Sequence, residues 1–191
     1  MSHTVTLEEL LSSTLRELYH THKQLLQKLP ILVDSVKLNH LKILLSSHLF
    51  ETGTHISRLE AAASVLSSDI EFEKRSAAVA DLMRSLDKAL GERWQKDSGV
   101  LDVNVIVSLK CLKRYSMALY CNALEFANEL GMDEVFERLA TSFYEENALT
   151  EDLGAVFEDE QENDRDANEI KSPAAFDGSA AWNSGRIMAG R

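Results

Sequence analysis

The chain has 191 residues, 45% of them hydrophobic and 27% charged, which suits one large domain or a domain with a tail and rules out wholesale disorder. Its formal net charge is −11, from 20 Lys and Arg against 31 Asp and Glu; such a surface repels phosphate backbones and anionic lipid, so neither a nucleic-acid nor a membrane partner is expected. Two Pro and eight Gly leave few breakers and favour helix.

Met1-Ser2-His3-Thr4 leads straight into an acidic amphipathic segment with no basic start or apolar core, so no secretory leader is expected. Thr6 and Glu9 are spaced as a capping box that opens the first helix. Leu11, Leu15, Leu18, Leu25 and Leu29 recur in steps of three, four or seven, a helical stripe. Pro30 is expected to end or kink this helix. A second segment runs from about Ser35 to Ser67. Its seam of Leu41, Leu45, His48, Thr52, His55, Leu59, Ala62 and Leu66 is strict for a bundle. A shorter amphipathic helix, from about Ser76 to Leu90, puts Val79, Leu82, Met83, Leu86 and Leu90 on one face. The stretch Gln95 to Gly99 reads as a loop.

The fourth segment runs from Asp102, read as its N-cap, to Leu130, with Gly131 as terminator. Its seam is Ile106, Leu109, Lys113, Ser116, Tyr120, Ala123, Ala127 and Leu130. Cys111 and Cys121 lie ten residues apart in it, roughly 15 Å at helical rise, too far for a disulfide between them. They are expected to be buried thiols of a reducing cytoplasm. The fifth segment, Asp133 to about Phe157, has the seam Val135, Leu139, Ser142, Glu146, Leu149, Leu153 and Val156. From Glu158 to Glu169 there are seven acids and one Arg, then a Gly/Ser/Ala-rich end with Phe176, Trp182 and Ile187. This tail, 158–191, reads as a solvated arm, or as a segment whose apolar residues dock on the bundle or on a partner. No run of 18 apolar residues occurs, so no membrane span is expected.

Four long helices with three-and-four seams make an all-α, four-helix bundle over residues 1–157, and the short third helix supplies the long crossover of the ferritin-like variant. Polar residues interrupt every seam near its middle: His22 in the first, His48, Thr52 and His55 in the second, Lys113 and Ser116 in the fourth, Ser142 and Glu146 in the fifth. Helix middles of an antiparallel bundle meet at one level, so one polar layer is expected. Two-metal carboxylate sites in such bundles take one Glu from each of two helices and Glu-x-x-His from each of the others. Here His22, Glu51, His55 and Glu146 can ligate, while Lys113 brings a positive charge where a metal needs negative ones. Three readings follow: a metal-free core in which Lys113 pairs with Glu51 and Glu146, a mononuclear or loose metal site, and an intact two-metal oxidase.

These residues resemble the YciE/YciF group of ferritin-like bacterial stress proteins over about residues 6 to 157. Leu18 to Leu25, Leu-Tyr-His-Thr-His-Lys-Gln-Leu, is similar to that family's Asp-x-Tyr-x-Ala-Glu-x-Gln-Leu. His48-Leu49-Phe50-Glu51-Thr52, with Ile56, Arg58 and Leu59, resembles its His-Leu-Glu-Glu-Thr-x-x-Gln-Ile-x-Arg-Leu. Arg114 to Tyr120 resembles part of its Glu-His-Tyr-Glu-Ile-Ala-x-Tyr, and Leu130-Gly131 and Glu145-Glu146 also correspond. The resemblance implies a ferritin-like fold, a stress-linked setting and, in the family, two-metal chemistry. The departures fall on the carboxylates. The family's Glu on the first helix is His22; a Glu and the Gln of the second are Phe50 and His55; Glu, His and Glu on the fourth are Lys113, Arg114 and Ser116. Only Glu51 and Glu145-Glu146 remain as family-type carboxylates.

Tyr19, Tyr115 and Tyr120 suit either redox relays beside a metal or core positions with satisfied hydroxyls. His3, His20 and His40 are expected at the surface. There is no Gly-rich phosphate loop, Cys-x-x-Cys pair or nucleophile elbow. The expectation is a cytoplasmic, non-enzymatic homodimer with a degenerate metal site and no cofactor, acting through its surface. The alternative is an iron or manganese redox protein using His22, Glu51, His55 and Glu146.

Overall fold

The computed structural model describes residues 5–66, 72, 77–91 and 98–171, the side chains of 89, 98 and 159–171 excepted. Its described elements are α1 (Leu7–Ser35), α2 (Asn39–Ala63), α3 (Ala77–Ala89), α4 (Ser98–Glu129) and α5 (Asp133–Lys171). No strand occurs among the described residues. The chain is an all-α, ferritin-like four-helix bundle with α3 as the crossover. It divides into two units, Met1–Phe157 and Glu158–Arg191; the first holds the bundle. Within it α1 packs on α2 and α4, and α3 lies against α4 and touches α1.

The helices form where period and caps agree. At the start of α1 the Thr6 hydroxyl accepts from Glu9 N–H at 3.2 Å, and the Glu9 carboxylate accepts from Thr6 N–H at 2.8 Å. The stripe residues Leu11, Leu15, Leu18, Leu25 and Leu29 are all fully buried, each stabilising by about 1.5–3 kcal/mol. At the end of α4, Gly131 takes φ +65°, Met132 N–H reaches Ala127 C=O at 2.9 Å and Gly131 N–H reaches Asn128 C=O at 3.0 Å. This is a Schellman turn, and only glycine adopts its backbone at little cost.

Several expectations need correction. Pro30 does not end α1, which continues to Ser35; consequently α2 starts at Asn39 rather than near Ser35. The proline removes one N–H at a cost of about 3 kcal/mol, but Leu29 and Leu32 beside it are fully buried, and their burial offsets that cost. Asp102 is not the N-cap of α4. It lies inside that helix, nearly fully buried, and its carboxylate accepts from Lys37 N–H at 2.9 Å and Leu38 N–H at 2.7 Å. It thus satisfies the corner between α1 and α2, whose own cap residue, Leu38, offers no side-chain acceptor. Segment four begins at Ser98, inside the expected loop. Cys111 and Cys121 are both exposed: neither lies on the Lys113–Ser116–Tyr120 seam. Leu130 is exposed and Val156 half-buried, unlike the rest of their seams.

The last helix does not stop near Phe157. It runs on through Glu158–Lys171, a stretch with no Gly or Pro to break it. The Gly/Ser/Ala-rich end, with Phe176, Trp182 and Ile187, lies outside the described residues, as does His3.

The buried apolar residues fall into two clusters. One joins Leu25, Leu29, Leu32 and Leu45 to Val79, Met83, Leu86, Ile106, Leu109, Leu149 and Leu153. The other joins Leu11, Leu15, Leu18, Leu59 and Ala62 to Tyr120, Ala123, Ala127, Val135 and Leu139. Along each helix the polar seam residues lie between these two sets.

Candidate functional site

The period that buries the leucines also places the polar residues. Four residues on from Leu18 and three before Leu25, His22 shares their face of α1. His48, Thr52 and His55 continue the Leu41–Leu45 line on α2; Lys113 and Ser116 continue Leu109 on α4; Ser142 and Glu146 continue Leu139 on α5. All eight are at 1% exposure or less.

At the centre the Lys113 ammonium lies 2.8 Å from each oxygen of Glu146. Two imidazoles flank the same carboxylate: Nδ1 of His55 is 3.1 Å and Nδ1 of His22 is 3.9 Å from Oε1. Their other nitrogens point outward. His22 Nε2 lies 2.9 Å from the Tyr120 hydroxyl, and His55 Nε2 lies 2.7 Å from Glu145 Oε2. Glu145 is gripped by Arg58, whose Nη2 donates to Oε1 at 3.0 Å and whose Nη1 donates to Ser142 Oγ at 3.2 Å. On α2, the Thr52 hydroxyl donates to His48 C=O at 2.7 Å and lies 3.2 Å from His48 Nε2.

The electrostatics follow from burial and pairing. Burial works to raise the Glu146 carboxyl, but the Lys113 ammonium and His55 hold it well below the usual carboxylate range. Burial lowers the Lys113 amine from its ordinary value, against the pull of Glu146. His22 is pushed well below the usual imidazole range by burial, with Lys113 adding to the effect and Glu146 opposing it. Burial, then Lys113, takes His48 to about 4. Glu145 is partly buried, yet Arg58 and His55 keep it below its ordinary value. Burial pushes the Tyr120 hydroxyl well above 10. The layer therefore holds an ammonium paired with a carboxylate, and His22 and His48 stay neutral at neutral pH. An unpartnered charge at this depth costs several kcal/mol, roughly 3–5 when one partner is removed, and the pair avoids it.

Of the residues expected to ligate, His22, His55 and Glu146 come together: one ligand atom of each lies within 4.8 Å of the others. Glu51 does not join them. It is half-buried on the flank of α2, with Oε2 3.6 Å from His48 Nδ1 and Oε1 accepting from Ser47 at 3.4 Å; the contact with His48 lowers its carboxyl. Three residues beyond His48 is a position beside the seam, not on it. Arg58 and Glu145 as outer partners were not foreseen. Arg58 stands three residues after His55, and Glu145 adjoins Glu146; the sequence signal was present but did not say that the two meet. Tyr120 and Tyr19 are hydroxyl-satisfied, the latter by Glu60 at 3.0 Å, and Tyr115 donates to Glu17. His40 is exposed and His20 half-buried.

A family model described as Domain of unknown function (DUF892) matches residues 6–166. The chain belongs to that family. Two solved structures share its fold. The stress protein YciF of E. coli is 21% identical, with a TM-score of 0.76 over 83% of this chain and 99% of that one. YcfI of Rhodopseudomonas palustris, described as a candidate structural protein, is 29% identical, with a TM-score of 0.72 over 78% of this chain and 94% of that one. No curated protein matches the chain by sequence. The resemblance read from the sequence is thereby borne out at the level of family and fold.

The two-metal centre associated with ferritin-like bundles needs carboxylates from all four helices. This waist has a single buried carboxylate, Glu146, and an ammonium on it. The residues do not fit two metal ions. No described helix is long and apolar enough to cross a membrane.

Proposed function

We propose that this protein is a non-catalytic, stress-response-type member of its family, in which the Lys113–Glu146 pair stands where a two-metal centre would be and the bundle acts through its surface. The supporting observation is the fully buried Lys113 ammonium 2.8 Å from both oxygens of Glu146. That ammonium supplies the positive charge the carboxylate needs, without a redox-active ion. The alternative iron or manganese redox reading keeps only three of its four ligands together and must also displace a lysine. Elemental analysis of protein purified without chelators tests the proposal: less than one iron or manganese per chain is expected, and two per chain overturn it.

The surface acts, in this reading, between two copies of the chain in the cytoplasm. Phe50 is 81% exposed and Ile43 69% exposed, seven residues apart on the outer side of α2. From Ile43 to Ser57 the only Asp, Glu, Lys or Arg is Glu51. In a chain of net charge −11, a strip with a single acid lets two like-charged copies approach with little repulsion. Gly53 has nothing within 4 Å of where a Cβ would stand, so no packing among the described residues requires it there. Sedimentation should show a dimer that Phe50→Asp converts to monomer; a monomeric wild type removes this part of the proposal.

A further inference from the structure

The waist has more buried imidazole nitrogens than its one lysine engages. Nδ1 of His22, of His48 and of His55 is buried without a hydrogen-bond partner. Glu145, held ionised by Arg58, has no proton to give, so His55 Nε2 must be the donor across their 2.7 Å. Nδ1 of the same ring faces an oxygen of Glu146 at 3.1 Å. A carboxylate holding the far nitrogen of an imidazole is the outer arrangement that orients metal-binding histidines, and His22 has a comparable outer contact in Tyr120 at 2.9 Å.

We propose that Nδ1 of His22, Nδ1 of His55 and the Glu146 carboxylate form a site for a single divalent ion of the zinc class, which competes with the Lys113 ammonium for Glu146. Two imidazoles and one carboxylate suit zinc and its neighbours, and they are the wrong set for magnesium or calcium, which take oxygen ligands. Donor atoms on a four-coordinate zinc stand about 3.3 Å apart, given bonds of ~2.0–2.1 Å. His55 Nδ1 and Glu146 Oε1 already stand at 3.1 Å, and His22 Nδ1, at 3.9 Å from the same oxygen, needs to close by roughly half an ångström to meet that spacing. Three protein ligands leave one position of a four-coordinate ion to water; the waist residues here are at 1% exposure or less, which shields that position from bulk solvent. The inference stands apart from the non-catalytic reading, since one such ion neither restores nor requires an oxidase.

Cobalt(II), which reports four-coordination by its visible absorption, is the probe, titrated into the full-length protein and displaced by zinc. One cobalt per chain is expected. Lys113→Met is expected to bind at least tenfold more tightly than wild type, because the competing charge is gone. His22→Gln and His55→Gln are expected to lose the band in the Lys113→Met background, while His40→Ala, at the surface, keeps it. Zinc should raise the melting temperature of Lys113→Met, a readout that serves even if that variant is weakened. No band and no thermal shift in either wild type or folded Lys113→Met overturns the site, as does a band that survives loss of both His22 and His55. Either result leaves the non-catalytic reading intact, which two redox metals per purified chain would defeat.

Discussion

At its two ends the bundle buries leucine, valine and alanine; at its waist it buries three histidines, a lysine and a glutamate. The ends are stabilised in proportion to apolar area, each side chain adding its share with little demand on geometry. The waist is different. Its intact ion pair contributes little net stability, because desolvation consumes most of the attraction, yet breaking it leaves a bare charge. The ends therefore hold the bundle together, while the waist penalises any register in which Lys113 and Glu146 fail to meet. A helix slipped by one turn would move either charge by about 5.4 Å into leucine.

The largest expected effect comes from breaking the waist on one side only. Glu146→Ala should cost about 3–5 kcal/mol in urea unfolding. The double change Lys113→Met with Glu146→Leu should recover most of that loss. A double variant as unstable as the single one would show that the pair is a source of stability like the leucines at the ends. At one of those ends, Leu29→Ala should cost about 2–5 kcal/mol, and no second substitution of charge should rescue it.

Acid sharpens the contrast. His48 has a folded value of about 4 against an ordinary 6.5, so the unfolded chain takes up the proton first and stability falls as pH drops from about 6.5 towards 4. The loss from this one group is on the order of 3 kcal/mol. Glu146 acts in the same direction lower down: its depressed carboxyl contributes stability above its unfolded value of about 4.3, lost as pH falls further. His48→Gln should flatten the upper part of the curve. An unchanged slope between pH 6.5 and 4 would mean that this ring is protonated in the folded protein.

Smaller effects belong to the helix ends. Asp102→Ala should cost about 1–3 kcal/mol, because it strips the acceptor from Lys37 and Leu38. Thr6→Ala should cost about 1 kcal/mol. If the Asp102 change were the milder of the two, the corner between α1 and α2 would have another acceptor.

Much of this was legible. The seams of α1, α2, α4 and α5 came from leucine spacing, as did the level at which polar residues interrupt them, and Lys113 at the centre was expected from its place on its seam. What was misread shares a cause. Pro30, Asp102 and the two cysteines were judged by local propensity, and each was decided by what packs beside it. Glu51 was grouped with the ligands because of its spacing, yet it flanks the seam it was assigned to.

Sequence by itself determined which faces are buried and at what height the polar residues lie, since helical rise and period are the same for every residue and need no partner. Tertiary structure alone decided which atoms meet. Lys113 finds Glu146 across 33 residues of chain, Asp102 finds Lys37 across 65, and His55 finds Glu145 across 90. Such pairings depend on how neighbouring helices are rotated and shifted, and a difference of one residue in either turns a buried contact toward solvent.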